Sequence, residues 1–226
     1  MAVSVASQSG GSAERDLRRL RVFPNPVAMP AWKRAIDVLG ATVGLVFLAP
    51  FLALIALAVV LDSPGGPFYR QVRVGRGGRT FHCWKFRSMC RGADRLLGEL
   101  QAFNEASGLV FKMRDDPRRT RVGKFLRKTS LDELPQLLNV LRGDMSLVGP
   151  RPPTVDEVLR YDSSQLARLA ATPGITGLWQ VTLRGRHDFA DMVELDVRYA
   201  RELSFWGDVV ILLKTVPTVL FGKGSC

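Results

Sequence analysis

The sequence predicts an α/β protein, mostly helical, built around one apolar helix and one small β-hairpin. Three observations carry this. An uncharged run, VLGATVGLVFLAPFLALIALAVVL, fills the 24 positions between Asp37 and Asp62. Two short runs rich in aromatic and β-branched residues, PFYRQVRVG and RTFHCWKFRSM, stand on either side of a Gly pair, the pattern of a hairpin. Leu134, Leu137, Leu138 and Leu141 then recur at helical spacing, and three longer helical stretches follow towards the C-terminus.

Residues 1–30 read as a flexible tail, with Ser, Gly and Ala dominating up to about residue 13 and little there to bury. No basic stretch followed by a short apolar run begins the chain, so a cleaved signal peptide is not supported. Residues 31–62 form the membrane segment. At ~1.5 Å per residue the uncharged run alone makes roughly 36 Å of helix, enough to cross a hydrocarbon layer of about 30 Å. Its flanks disagree with a simple span. Arg15, Arg18, Arg19, Arg21, Lys33 and Arg34 precede it, while Arg70, Arg73, Arg76, Arg79, Lys85 and Arg87 follow, and basic residues favour the cytoplasmic side. Pro50 lies at the midpoint, where it removes a backbone hydrogen bond and breaks or bends a helix. A re-entrant helix that enters and leaves by one face resolves the conflict; a Pro-kinked single span with weak topology signals is the alternative.

Residues 63–226 form one domain. After the hairpin, whose outward side chains are expected to be the basic ones, residues 91–107 read as helical. The charged loop FKMRDDPRRT leads to a short basic helix near 120–128, and a further helix is expected from about 131 to 141. The last three helices fall near 155–171, 188–203 and 205–221. The final one, FWGDVVILLKTVPTVLF, carries Phe205, Trp206 and Phe221 as aromatic anchors; it either lies amphipathically in the headgroup layer or packs on the core.

The composition narrows the function. Lys and Arg outnumber Asp and Glu by 32 to 21, a net charge of +11, which predicts an anionic partner: phosphorylated molecules, anionic membrane lipid or nucleic acid. No recognition-helix or zinc-finger signature accompanies the basic residues, so no nucleic-acid role is expected. Three cysteines without metal-ligand spacing argue against a zinc site or a disulfide framework. Walker, Rossmann and HExxH motifs are absent.

What remains is TSLDELPQLLNVLRGDMSLVGPRP, residues 129–152. Ser130 and Glu133 have the spacing of a capping box, and Asp132 and Glu133 at the positive end of a helix need no further explanation than that. The same placement keeps a carboxylate ionised among Lys124, Arg127 and Lys128, where it has the makings of a nucleophile towards phosphorus. Arg151, between two prolines, offers a planar fork to phosphate oxygens or is a solvated turn residue. TPGITGLWQV sets two glycines around a β-branched pair, suited to close backbone approach to a ligand or to a plain turn.

Together these motifs, with KRAIDVLG, RVGRGGRTFHCWKFRSM and VELDVRYARELSFWGDVVILLKT, resemble the bacterial sugar transferase family, the monotopic phosphoglycosyl transferases, from about Lys33 to Phe221. The resemblance implies a minimal catalytic-core form at the cytoplasmic face of the bacterial inner membrane. It further implies that Asp132 attacks the β-phosphate of a nucleoside diphosphate sugar, with a UDP-sugar as the expected donor, and that polyprenyl phosphate resolves the phosphosugar-aspartyl intermediate. Such a reaction opens the membrane stage of exopolysaccharide, capsule, O-antigen or glycoprotein glycan synthesis. Mg²⁺ is the implied cofactor, with Asp132 and Glu133 its ligands or Glu133 a base. Lys85, Arg127, Arg151, Arg184 and Asp208 match polar positions expected around the diphosphate and metal. Two departures stand out: Ala49 replaces the Ser often found before the helix-breaking Pro, and LRG at 183–185 replaces the usual GRN, which weakens the assignment of Arg184. A non-catalytic basic membrane adaptor is the rival from another class, and the oligomeric state stays open.

Overall fold

The computed structural model describes residue 17 and residues 23–104, 113, 115–183 and 188–221. Its elements are α1 (Ala31–Asp62), β1 (Phe68–Val74), β2 (Thr80–Phe86), α2 (Ala93–Leu100), α3 (Arg121–Thr129), α4 (Leu137–Arg142), β3 (Ser146–Val148), α5 (Val155–Val158), α6 (Ser163–Leu166), β4 (Gly174–Thr176), α7 (Leu178–Thr182), α8 (Phe189–Arg201) and α9 (Phe205–Phe221). Short 3₁₀ turns stand between several of them.

Helix α1 runs through Pro50 without interruption. Among the described residues it is the one helix long and apolar enough to cross a membrane. A core helix of a soluble protein would be covered, yet Val46, Phe47, Leu54 and Leu61 are each at least 65% exposed. Only one stripe is used. Ala41 meets Leu137, Val140 and Met145, and Ile55 and Val59 meet Phe86 and Leu126 further along. So large an apolar surface, left bare by the protein's own folding, marks a membrane-associated protein.

Strands β1 and β2 pair antiparallel from Phe68↔Phe86 to Val74↔Thr80, as the two runs predict. The turn between them needs Gly77 and Gly78, which take φ of +64° and +80°. The basic residues of the hairpin do not all face outward. Arg73 is buried, because its guanidinium donates to Gln71 Oε1 and to the Pro152 carbonyl instead of to water. A second pair, β3 with β4, is parallel and joins Ser146↔Gly174 and Val148↔Thr176. The two glycines of TPGITG serve this pairing: a Cβ at Gly174 would stand 2.0 Å from the Gly149 nitrogen, and one at Gly177 2.4 Å from the Gly149 oxygen. The close approach at the glycines is backbone on backbone, and the same motif gives Gly174, Ile175, Trp179 and Gln180 to the wall of a cleft.

Other boundaries shift for physical reasons. The helix expected over 155–171 breaks into α5, α6 and a 3₁₀ turn, since Asp162 accepts from the Ser164 and Gln165 N–H groups and starts a new cap. The tail does not end at residue 30. Leu17 is buried with Val74 and Val155, the Val27 N–H donates to the Ala170 carbonyl, and a Cβ at Gly78 would overlap the Phe23 ring. Helix α9 answers both readings of the C-terminus: Ile211 is buried against Val148 and Tyr199, while Trp206, Leu213 and Val216 are exposed.

Candidate active site

The two acids reach their places through a chain reversal rather than a cap. Ser130 ends α3 in the left-handed region (φ 57°), with its N–H returned to the Leu126 and Arg127 carbonyls. An N-cap is extended, so Ser130 forms no capping box with Glu133, contrary to the sequence pattern. Residues Leu131–Gln136 instead wind as a 3₁₀ turn that tolerates Pro135, and α4 begins only at Leu137. This turn is pressed onto β2 by Asn139, fully buried, whose Oδ1 accepts from the Trp84 N–H (3.0 Å) and whose Nδ2 donates to the His82 carbonyl (2.7 Å).

Lys85, one residue beyond, thereby meets Glu133: Nζ to Oε1 is 2.5 Å. Both line an open cleft of about 160 Å³. Arg73 and Arg151 add two more cations to its wall, so the cleft carries three positive side chains against the single acid Glu133. A diphosphate complements that balance.

Asp132 does not line the cleft; it is buried beside it, 6% exposed. Burial pushes its carboxyl up to about 6; Lys85 and Arg127 oppose the rise and the Glu133 charge adds to it. Glu133 behaves oppositely. Burial opposes its ionisation, but the Lys85 charge and hydrogen bond, with Arg151 and Arg73, hold it below the usual carboxylate range. Two adjacent carboxylates in opposed environments are the pattern from which distinct acid, base or nucleophile roles arise.

Arg151 sits on a turn held at every carbonyl. Pro150 O accepts from Gly174 N–H (2.9 Å), Arg151 O from Arg168 Nη2 (3.2 Å), Pro152 O from Arg73 Nη1 (2.9 Å) and Pro153 O from Val74 N–H (2.9 Å). Its Nη1 stands 3.5 Å from Glu157 Oε1 and is buried without a hydrogen bond among the described residues. The buried amide oxygen of Gln180, which also lines the cleft, has no hydrogen bond among the described residues. Unpaired polar atoms on a cleft wall are sites for a polar ligand.

The other predicted residues divide. Arg127 stands by the acids, charge-coupled to Asp132 and donating to Ser88 Oγ at 3.0 Å. Asp208 is elsewhere: it is buried and bound to Lys33 (2.5 Å) and to the Tyr199 hydroxyl (2.7 Å), which corrects its expected place around the diphosphate. Burial and that carboxylate together push the Tyr199 phenol upward. Arg184 lies outside the described residues. Sequence reasoning does not single out Arg73 or Gln180 for the site: the strand pattern puts Arg73 on an outer face, and Gln180 lies inside a motif read for its glycines. Arg168, 1% exposed and paired with Asp196, gives no sequence signal beyond a charge within an apolar stretch.

The acids also bear on a metal. Among the described residues no group of three or more His, Cys, Asp or Glu side chains is built to hold one. Mg²⁺ is ordinarily held by one or two carboxylates completed by substrate phosphates and water, and a pair of hard oxygen donors beside an anion cleft fits that habit.

The pattern described as bacterial sugar transferase matches residues 28–222. The chain is 50% identical to the galactosyl transferase CpsE of Streptococcus agalactiae over 85% of its own length, though it spans only 43% of that protein. It is 45% identical to the exopolysaccharide production protein ExoY of Sinorhizobium fredii, over 85% of this chain and 87% of the relative. A UDP-glucose:undecaprenyl-phosphate glucose-1-phosphate transferase of Caulobacter vibrioides is 43% identical over 86% of this chain and 72% of its own. With the pattern covering most of the chain and ExoY matched nearly end to end, the protein belongs to the bacterial sugar transferase family.

Proposed function

We propose that the protein transfers a sugar-1-phosphate from a nucleoside diphosphate sugar, a UDP-sugar by the chemistry of its relatives, to polyprenyl phosphate. The observation that carries this is the acid pair: half-buried Glu133 on the wall of a cleft that holds Lys85, Arg73 and Arg151, with Asp132 buried next to it. In the first step an Asp132 carboxylate oxygen bonds to the β-phosphorus, and the bond from that phosphorus to the bridging oxygen breaks. The electron pair leaves on the nucleoside monophosphate. In the second step an oxygen of the lipid phosphate bonds to the same phosphorus and Asp132 departs as carboxylate. The product is a polyprenyl diphosphate sugar.

The residues suit these steps. Asp132, with its carboxyl near 6, is mostly ionised at neutral pH yet poorly solvated, the condition of a reactive oxygen nucleophile. Glu133 holds Lys85 ready, and a diphosphate in the cleft takes over that ammonium together with the Arg151 fork. Glu133 is then free to serve as a metal partner or base. Mg²⁺, held by Asp132 or Glu133 with the diphosphate oxygens, would neutralise charge on the leaving group.

The proposed place of action is the cytoplasmic face of the bacterial inner membrane, with α1 as a re-entrant, monotopic helix. Support comes from its packing: the first half of α1 rests on α4 and Met145, the second on Phe86 and α3, so both halves flank one body. A span with its ends on opposite sides of a bilayer would carry that body into the lipid.

The test is release of UMP from a panel of UDP-sugars by detergent-purified protein with Mg²⁺ and undecaprenyl phosphate. Wild type is expected to release it and Asp132→Asn is not. Silence of wild type on every donor would favour the adaptor.

A further inference from the structure

Three contacts leave the short segment from Lys85 to Ser88 in three directions. Lys85 reaches Glu133, as described. Ser88 carries α3: its carbonyl accepts from Thr120 N–H (3.2 Å), its hydroxyl accepts from Arg127 Nε (3.0 Å), and a Cβ at Gly123 would stand 2.0 Å from its carbonyl oxygen. Only glycine lets the helix lie so close. Between them Arg87 turns to the end of α1. Its Nη2 donates to the carbonyls of Ser63 (2.7 Å), Gly65 (3.3 Å) and Val59 (3.4 Å), and its Nη1 to Pro64 (2.6 Å).

The last carbonyls of a helix lack intrahelical partners and carry the negative end of its dipole. Helix α1 has no basic residue in its own last turn, so Arg87 supplies that cation from another element. The return contact comes from Asp62, the final residue of α1. Its Oδ2 accepts from the Val122 N–H (2.9 Å) in the first turn of α3, and it hydrogen-bonds Thr120, the residue that caps α3 through Gly123. The last turn of α3 in turn holds Arg127, the cation facing Asp132. The exit of the apolar helix is thus fastened twice to elements that place the acid pair.

We propose that Arg87 and Asp62 are positioning residues that fix the acid pair at the height of a membrane-held acceptor phosphate, an inference that rests on the phosphoglycosyl-transfer reading above. The lipid phosphate lies at a depth set by the headgroup layer, and Asp132 at a depth set by how α1 is tied to the domain. A misplacement of ~1 Å is enough to cost up to about a hundredfold in rate. Loosening the tie should leave the donor half-reaction intact, because the donor binds within the domain, and should slow the step that needs the membrane.

The experiment uses full-length protein in lipid nanodiscs, as wild type, Arg87→Lys and Asp62→Ala. Lysine keeps the charge but cannot fork over four carbonyls. Two variants at separate contacts keep the test intact if one does not fold. Three quantities are read: the burst of nucleoside monophosphate without acceptor, turnover with undecaprenyl phosphate in the disc, and turnover with a water-soluble short-chain prenyl phosphate. The expected result is a burst within about twofold of wild type, with the ratio of membrane-held to soluble acceptor turnover falling about tenfold. A ratio within twofold of wild type in the folded variants overturns the inference, whether the two turnovers stay or fall together. A wild type silent in all three assays overturns the transferase reading instead, and this inference with it.

Discussion

Burial holds the Asp132 carboxyl near 6, against 3.8 for the unfolded chain, and this has two consequences of opposite sign. Catalysis needs the ionised form, roughly 10% present at pH 5 and 90% at pH 7. The rate of nucleoside monophosphate release is therefore expected to climb through pH 6, as a pH profile of the burst would record. For stability the folded state binds more protons than the unfolded between pH 3.8 and about 6, so stability falls as pH rises through that window and the deficit is complete above it. Asp132→Asn removes the deficit. It is expected to abolish turnover and raise the thermal midpoint by a few degrees at pH 8, with a smaller gain at pH 4. Arg151→Lys bears on binding: one ammonium replaces a fork on a turn whose carbonyls are all engaged. A donor kcat/KM lower by about tenfold or more, with an unchanged melting curve, is the expected result of steady-state kinetics.

At the scale of elements, what the sequence revealed depended on how local the cause was. The hairpin, α3 and the apolar helix follow from periodicity and turn residues within each stretch, and all appear where the pattern put them. The capping box did not form because Ser130 closes α3 in a left-handed conformation, a demand set by the preceding helix. The parallel pair β3 with β4 joins strands of three residues each, too short for any alternation to register. Arg73 was placed outside because a strand was read alone, without the 150–153 turn that buries it. The acids, Lys85, Arg127 and Arg151 were legible from motifs; Asp208 was misplaced because its partner Lys33 lies 175 positions away. Asp208→Ala tests the corrected role. Leaving Lys33 buried without its carboxylate is expected to cost about 3–5 kcal/mol in denaturant unfolding, with donor KM unchanged in whatever folds. Gly174→Ala should prevent β3 and β4 from pairing, read as loss of a cooperative thermal transition.

At the scale of the whole molecule, a net charge of +11 and an uncovered apolar helix are complementary in the proposed membrane setting: one would attract the protein to an anionic lipid surface, the other would insert. The proposed re-entrant arrangement would place both ends of α1 on one side. With Cys83, Cys90 and Cys226 replaced, single cysteines at Ala28→Cys and Gly66→Cys in sealed vesicles should react with a membrane-impermeant maleimide from the same face; labelling from opposite faces would establish a span. The central claim is the covalent step, and intact-mass analysis with peptide mapping after mixing the enzyme with its UDP-sugar and Mg²⁺, without lipid acceptor, tests it most directly. The account predicts an added phosphosugar on Asp132 that disappears when undecaprenyl phosphate is supplied. An adduct on Glu133, or full turnover with no adduct at any residue, would contradict it.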